Sequence, residues 1–249
     1  VISIGVFLSV LFSAWFSGVF SDMIHLNANF STGHLKVMTR AYAENAEQMP
    51  NDLALLETGS LMADLQQRFP QLEWTQRIRF GGLLDVADSE GNTRAQGMAA
   101  GHAVDLFSAG SHEAERMNIP QSIVEGRLPA QPGEALISHD FARRFEVGIG
   151  DTVTLFGSTM DGGMSFANFA VAGTVRFGMP ALDRGAIIVD ITDAQAALDM
   201  EDAAGEVLGF FKTGEYEEAA ALEIKNAFNA LYQNDEDEFA PLMLRLNDQ

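Results

Sequence analysis

The first 21 residues contain no Asp, Glu, Lys or Arg, and this constrains the chain more than any other feature. Residues 1–20 comprise fourteen apolar residues, four Ser and two Gly. Twenty residues in a helix extend over about 30 Å, which is the thickness of the hydrocarbon core of a bilayer. The sequence therefore predicts a membrane-spanning helix at the N-terminus.

The helical spacing of apolar residues continues beyond this segment. Apolar residues recur every three to four positions at Phe20, Met23 with Ile24, and Ala28, and no Pro interrupts them. We expect one helix over residues 1–29, with its last turns projecting from the membrane as a stalk. The pair Thr32-Gly33 is typical of the end of a helix.

Three serines are spaced four residues apart within the predicted span. Ser9, Ser13 and Ser17 would share one face of a helix, and small hydroxyl residues allow membrane helices to pack closely. In a single span that packs against no other helix, the same hydroxyls would equally well form hydrogen bonds to the backbone of their own helix. This face is the candidate site for packing inside the membrane.

A secretory signal peptide is the main alternative for the N-terminal segment. Its apolar region has about 7–15 residues and ends at small residues, whereas this run is longer and residues 16–20 are mostly bulky. A retained helix is therefore favoured. The first basic residue is Lys36, and a region poor in Lys and Arg beside a span indicates the outer side of the membrane.

Composition excludes several classes of function. The 249 residues include 15 Lys and Arg against 35 Asp and Glu, a net charge of −20, which would repel nucleic acid. The absence of Cys excludes disulfides and zinc–thiolate sites. An apolar content of 47% argues against global disorder.

Helical and strand patterns alternate at both ends of the remaining chain. The spacing predicts a helix over residues 51–69 and strands over 73–87 and 92–100. A second helix is predicted over residues 215–232. Its buried face would consist of Tyr216, Ala220, Ile224, Ala227 with Phe228, and Leu231.

The middle of the chain has a different pattern, with short predicted strands separated by Gly and Pro. The simplest arrangement is an α+β fold, in which the two ends form one α/β layer and the middle is inserted. We therefore divide the chain into a span and stalk (1–29), an α/β part (30–115 with 205–249) and a β-rich insertion (116–204).

Motifs that would indicate catalysis or metal binding were sought in the sequence. It has no P-loop, and the neighbours Ser138, His139 and Asp140 cannot converge as a triad. The stretch Asp161-Gly162-Gly163 and the acidic stretch 235–238 do not have the alternating ligands of an EF-hand loop. The sequence thus gives no support for an enzyme, and we predict no cofactor or metal.

Five stretches, in order, resemble the MacB/FtsX-like family of ABC transporter permeases, especially the lipoprotein-releasing type. They are STGHLKVMTRAY (31–42), RIRFGGLLDVADSEGNTRAQGMAAG (77–101), VEGRLPAQPGEALISHDFARRFEVGIGDTVTLFG (124–157), FAVAGTVRFGMPALDRGAIIVDITDAQAAL (169–198) and FAPLMLRLNDQ (239–249). The third is the most specific, with Glu125-Gly126-Arg127, an apolar strand, and Gly150-Asp151 before the next strand.

The resemblance implies a non-catalytic permease subunit in a bacterial inner membrane, with most of this chain in the periplasm. It implies a "porter" α/β part with an inserted β-rich "sabre" part. The expected partners are a separate ABC ATPase subunit, a second permease copy or paralogue, membrane lipid, and a lipoprotein or peptidic cargo. ATP-driven movement of the span would reach the outer domain mechanically through the helix 1–29.

Two other functions remain open from the sequence. A single-span sensor ectodomain that binds a small ligand would share the N-terminal helix, and a secreted enzyme would follow from signal cleavage. Hydrophobic segments after Gln249 would separate the permease from the sensor.

Overall fold

The computed structural model describes residues 6–7, 10–13, 15–16, 27–88, 90–232, 234 and 236–248, which form a mixed α+β fold as predicted. The strands are β1 (Leu35–Thr39), β2 (Leu72–Ala87), β3 (Thr93–Val104), β4 (Ile123–Gly126), β5 (Glu134–Ser138), β6 (Thr152–Ser158), β7 (Met164–Val175), β8 (Ala186–Asp190), β9 (Glu206–Phe211) and β10 (Pro241–Arg245). The helices are α1 (Arg40–Glu44), α2 (Thr58–Arg68), α3 (Glu113–Arg116), α4 (Ile119–Ser122), α5 (His139–Phe145), α6 (Pro180–Asp183), α7 (Ile191–Leu198) and α8 (Glu218–Tyr232).

The long strand β2 belongs to two sets of strands. Its first part, residues 72–77, pairs antiparallel with β9, and β9 leads to β1 and then β10. Its second part, residues 78–87, pairs antiparallel with β3. The sixteen residues of β2 therefore hold the two sets together as a common spine.

The second set of strands closes on itself. β3 pairs with β8, β8 with β5, β5 with β7, β7 with β6, and β6 returns to β2 at residues 83–86. Closure into a barrel pairs the edges that an open sheet would expose. Each of the six strands contributes to one buried cluster, through Phe80, Leu84, Ala103, Ile137, Leu155, Phe169 and Ile187.

Glycines give the large side chains inside the barrel their space. Gly101 lies opposite Phe80 in the β2–β3 pair, and a Cβ at this position would lie 2.0 Å from Phe80 Cε2. A Cβ at Gly97 would lie 2.7 Å from the rings of Phe141 and Phe145. Small and large residues thus complement each other inside the barrel.

The first set of strands is covered by helices on one face. α2 contributes Leu61 and Leu65, and α8 contributes Ala221, Ile224 and Phe228, to a second buried cluster. Strands β1, β2, β9 and β10 complete it with Leu35, Val37, Leu72, Trp74, Val207, Phe211 and Met243.

Several predicted elements are confirmed and some need correction. The hairpin of β2 and β3 and the helix α8 form where the sequence predicts them. The predicted helix 51–69 is wrong at its start: Glu57 adopts a left-handed φ of 52°, so a 3₁₀ turn is separated from α2. Leu231 is wrong as a buried residue, because 56% of it is exposed.

The predicted span and stalk lie largely outside the described residues. Those described between positions 6 and 16 are helical, and their apolar side chains are 55–64% exposed. No helix among the described residues has both the length and the apolar character needed to cross a membrane. The division at residues 29, 115 and 204 stays a prediction.

The barrel interior yields a stability prediction. Gly101→Ala should destabilise the fold by about 1–3 kcal/mol, because the new methyl overlaps the Phe80 ring in a packed core. Gly81→Ala on β2 is the matched control, since the nearest atom to its Cβ is Met49 Cε at 3.7 Å. Urea denaturation measures both. Equal midpoints for the two variants would contradict this packing.

Candidate functional site

The N-terminal segment joins the folded domain through residues 28–34, which we call the junction segment. Ala28–Thr32 form a π-helical turn that ends at Gly33, whose N–H donates to the Ala28 carbonyl at 2.8 Å. Gly33 has a φ of 62°, and a Cβ there would lie 2.6 Å from the Leu35 carbonyl oxygen. Only Gly fits this bend without strain. The bend leads the chain directly into β1.

Phe30 fixes the turn to the domain through its backbone and its side chain. Its carbonyl accepts a hydrogen bond from Arg77 Nη1 of β2 at 3.1 Å. Its ring packs edge-on against Phe177, with centroids 5.4 Å apart. Both contacts are made to residues far along the sequence, so the turn is tied to the spine strand and to the segment that follows β7.

His34 provides the next anchor. Its N–H donates to the Gly209 carbonyl at 3.0 Å, and its carbonyl accepts from the Leu246 N–H at 3.1 Å. Its Nδ1 accepts from the Phe211 N–H at 3.0 Å. The junction segment is therefore bonded to β2, β9 and the C-terminal turn within five residues.

A buried ion-pair network begins at the Arg77 side chain. Arg77 and Glu113 are 3% and 1% exposed, and Arg77 Nε donates to Glu113 Oε2 at 2.6 Å. Arg116 Nη1 donates to the other oxygen of Glu113, also at 2.6 Å, and Arg116 Nη2 lies 3.2 Å from Glu73 Oε2. The network extends from the junction segment through α3 to the start of β2.

The ring of Phe210 lies against the cations of this network. The Arg116 guanidinium carbon is 4.0 Å from its centroid, and that of Arg77 is 6.0 Å away. An aromatic face attracts guanidinium groups and shields their ion pairs from water.

A second buried group lies beside the first. Glu206 Oε1 is 2.7 Å from Arg79 Nη2 and 3.3 Å from Lys36 Nζ. Burial lowers the pKa of Lys36, and the neighbouring carboxylate of Glu206 opposes this shift. Burial beside Glu206 also raises the pKa of Tyr42 to about 12. This carboxylate therefore binds two cations from two strands, β1 and β2.

His102 lies opposite Arg79 in the pairing of β3 with β2. Burial, followed by the positive charges of Arg77 and Arg79, lowers its pKa from 6.5 to about 4. The imidazole is therefore neutral in the folded protein near neutral pH. Its protonation would add another cation to this face of the sheet.

The residues predicted as a membrane packing face are not brought into this site. Ser13 is helical and exposed, whereas Ser9 and Ser17 lie outside the described residues. The packing face stays a prediction.

The three consecutive residues Ser138, His139 and Asp140 each contact a different partner. The Ser138 hydroxyl donates to the Asp183 carbonyl, His139 Nδ1 lies 3.1 Å from the Thr174 hydroxyl, and Asp140 pairs with Arg176 at 2.6 Å. These contacts fit structural roles. Within the described residues, no cluster of three or more His, Asp or Glu side chains is arranged to hold a metal ion.

Sequence reasoning missed the charged residues beneath the junction segment. Arg77 and Arg79 alternate with Ile78 and Phe80, a pattern that normally predicts a solvent-facing side of a strand. Nothing in the local sequence indicates that Arg77 is buried and Arg79 partly buried, because the residues that cover and pair with them, such as Glu206, lie far away along the chain.

The buried ion pair generates a stability prediction. Glu113→Ala should destabilise the fold by about 3–5 kcal/mol, because it leaves the buried cation of Arg77 without its carboxylate. Arg176→Gln, which breaks the exposed pair with Asp140, should cost less than about 1 kcal/mol. Chemical denaturation compares the two, and equal losses would show that the buried network is not a structural tie.

His102 generates a prediction about pH. Between pH 6.5 and 4 the unfolded chain binds a proton at His102 and the folded chain does not, so acidification through this range removes stability. His102→Gln lacks this loss, and the free energy of unfolding of wild type minus variant should therefore fall as the pH falls. Urea titrations at stepped pH measure it. A difference independent of pH would contradict a neutral imidazole at His102 in the folded protein.

Comparisons with known proteins agree with this architecture. The model of the MacB-like periplasmic core domain family matches residues 1–227. The periplasmic region of MacB from Actinobacillus actinomycetemcomitans superimposes with a TM-score of 0.57 at 9% identity, over 89% of this chain and 92% of that one. The extracellular domain of the noncanonic ABC-type transporter YknZ from Gram-positive bacteria gives 0.53 at 10% identity, over 85% and 99%. These structures share the fold. No curated protein matches the chain.

Proposed function

The chain belongs to the MacB-like periplasmic core domain family, as its sequence predicts, and from this membership we propose how it works within an ABC transporter permease. The domain couples ATP hydrolysis by a separate cytoplasmic ATPase to movement of a cargo outside the membrane. The coupling is mechanical, and the domain itself is not catalytic.

The observation that carries this proposal is the attachment of the junction segment. A pull on Asn27 reaches Phe30, which is bonded to Arg77 on the spine strand, and then His34, which is bonded to β9. A strand shared by two sets of strands resists local extension, because any displacement breaks hydrogen bonds on both. The bonds to β2 and β9 therefore deliver displacement to the whole domain.

Membrane residence of the N-terminal segment is part of the proposal. The exposed apolar side chains between positions 6 and 16 form a surface that hydrocarbon would cover. We place the span in a bacterial inner membrane and the domain in the periplasm, with porter-like and sabre-like parts. The serine face, including Ser13, would pack against a neighbouring span.

The partners follow from the same assignment. We propose a dimer with a second permease copy or paralogue, bound to an ABC ATPase and surrounded by lipid. The proposed cargo is a lipoprotein or another amphipathic or peptidic molecule in the outer leaflet. The resemblance to lipoprotein-releasing permeases favours lipoprotein among these.

A two-glycine insertion after Asn27 tests the mechanical coupling in the full-length transporter. Glycines are flexible and destabilise a helix, so the insertion should uncouple the junction segment from the span. We expect ATP hydrolysis to persist and release of a diacylated lipoprotein reporter from membrane vesicles to be lost. The same insertion after Gly214, in the exposed turn between β9 and α8, is the control and should leave reporter release unchanged.

The outcomes separate the parts of the proposal. Unchanged reporter release after the Asn27 insertion would contradict mechanical coupling through this segment. Failure of the unaltered transporter to release the reporter, with its ATPase active, would instead show that lipoprotein is the wrong cargo.

A further inference from the structure

In the part of the chain that the structure describes, the spine strand β2 has an unpaired edge along its first part. Residues 72–77 pair with β9 on one side, and on the other side the pairing with β3 begins at Ile78. Within residues 27–88 and 90–232, the strand pairings leave the second side of residues 72–77 open. Such an edge offers N–H and C=O groups to another extended chain.

The backbone groups on this edge belong to Trp74 and Gln76. The Lys212 N–H donates to the Gln71 carbonyl at 3.1 Å, and the bonded residues of an antiparallel ladder alternate along the strand. The odd-numbered residues of β2 therefore bond to β9. Gly209 of β9 lies opposite Trp74, and its carbonyl accepts from the His34 N–H on the β1 side of β9 rather than from β2. Trp74 therefore makes no backbone hydrogen bond to Gly209.

A cleft follows this edge, which we call the edge cleft. It consists of two adjoining cavities of about 460 and 500 Å³. Both are lined by Trp74 and Thr75 of β2, by Met62 of α2, and by Asp105 and Ser108 of the loop after β3. The cleft therefore follows the strand direction between two walls, as a slot for an extended peptide does.

The Trp74 side chain carries an unused donor toward this cleft. Trp74 is 5% exposed, and its buried Nε1 has no hydrogen-bond partner among the residues that the structure describes. The opposite side of the indole faces β9, because a Cβ at Gly209 would lie 2.6 Å from Cζ3. Nε1 thus lies on the side of the open edge. A buried donor without a partner is costly, and a ligand carbonyl would satisfy it.

The charge of one end of the edge cleft favours a basic ligand. Asp202 accepts from the Gly59 N–H at 2.7 Å and lies 3.3 Å from the Thr58 hydroxyl, and Asp105 accepts from the Ser108 N–H at 2.9 Å. These partners are neutral N–H and O–H groups, so they bring no positive charge to the two aspartates. The whole chain has a net charge of −20.

We propose that the edge cleft binds an extended segment of a partner protein by strand addition, with a Lys or Arg of that segment beside Asp105 and Asp202. Trp74 and Gln76 supply the backbone hydrogen bonds, and the indole N–H supplies one more. The inference rests on the geometry of this edge and does not depend on mechanical coupling.

Binding of a synthetic peptide to the ¹⁵N-labelled full chain in detergent tests the proposal. The probe is the acetylated and amidated hexapeptide Thr-Val-Lys-Val-Thr-Val, added to millimolar concentration. We expect it to shift the Trp74 indole resonance and to slow hydrogen exchange at the Trp74 and Gln76 amides. Replacing Lys by Glu in the probe should weaken binding.

Matched variants identify the contacts. Gln76→Pro removes the outward N–H and should weaken binding about tenfold, whereas Gln76→Ala removes the side chain and keeps the N–H, so that its affinity should stay within a factor of about two. Trp74→Phe tests the indole N–H independently if the Pro variant does not fold, again with about tenfold loss. Asp105→Asn should weaken binding of the Lys-containing peptide and should not weaken binding of the peptide in which Glu replaces Lys.

Three results would overturn the proposal. One is the absence of any shift at millimolar probe. Another is equal affinity for the wild type, Trp74→Phe and a folded Gln76→Pro variant. The third is that dodecanoate displaces the probe and binds the Gln76→Pro variant with the same affinity as the wild type. That result would make the cleft a site for acyl chains.

Discussion

The structure depends on a buried arginine on the strand that its two sets of strands share. Arg77 binds Glu113 through Nε and the Phe30 carbonyl through Nη1, so one side chain joins β2, α3 and the junction segment. A charge removed from water is tolerated only with such partners. Because the same strand pairs with β9 and with β3, a tie at this residue holds the N-terminal segment to the whole domain.

The spine strand also explains why the domain has an open edge. Closing the barrel requires β3 to pair with residues 78–87, and the sequence turns away after Val104. The first part of β2 is therefore left with β9 as its strand partner within the described residues. The tie to the junction segment at Arg77 and the open edge at Trp74 and Gln76 thus both lie on the first part of β2, which pairs with β9.

Local patterns of the sequence were enough to predict the hairpin of β2 and β3 and the helix α8, whereas the family was predicted from the resemblance of five stretches in order along the chain. The turn at residues 88–91 and the alternation around it are local signals. Barrel closure between β6 and β2 could not be predicted, because their register joins residues about 70 positions apart. The burial of Arg77 was missed for the same reason. Leu231 continues the apolar spacing of α8, but none of the elements in the described residues covers it enough to bury it.

The distance between the junction segment and the spine strand during turnover tests mechanical coupling most directly. Spin labels are placed at Asn27→Cys, just before the junction segment, and at Gln71→Cys, just before β2, both exposed positions. This chain contributes no Cys of its own, and any Cys elsewhere in the transporter is first replaced by Ser. In the full-length transporter, electron–electron double resonance should give one narrow distance that is unchanged between the nucleotide-free and ATP-trapped states. A distance that lengthens or broadens with ATP would show that the segment detaches from β2, and would contradict the account.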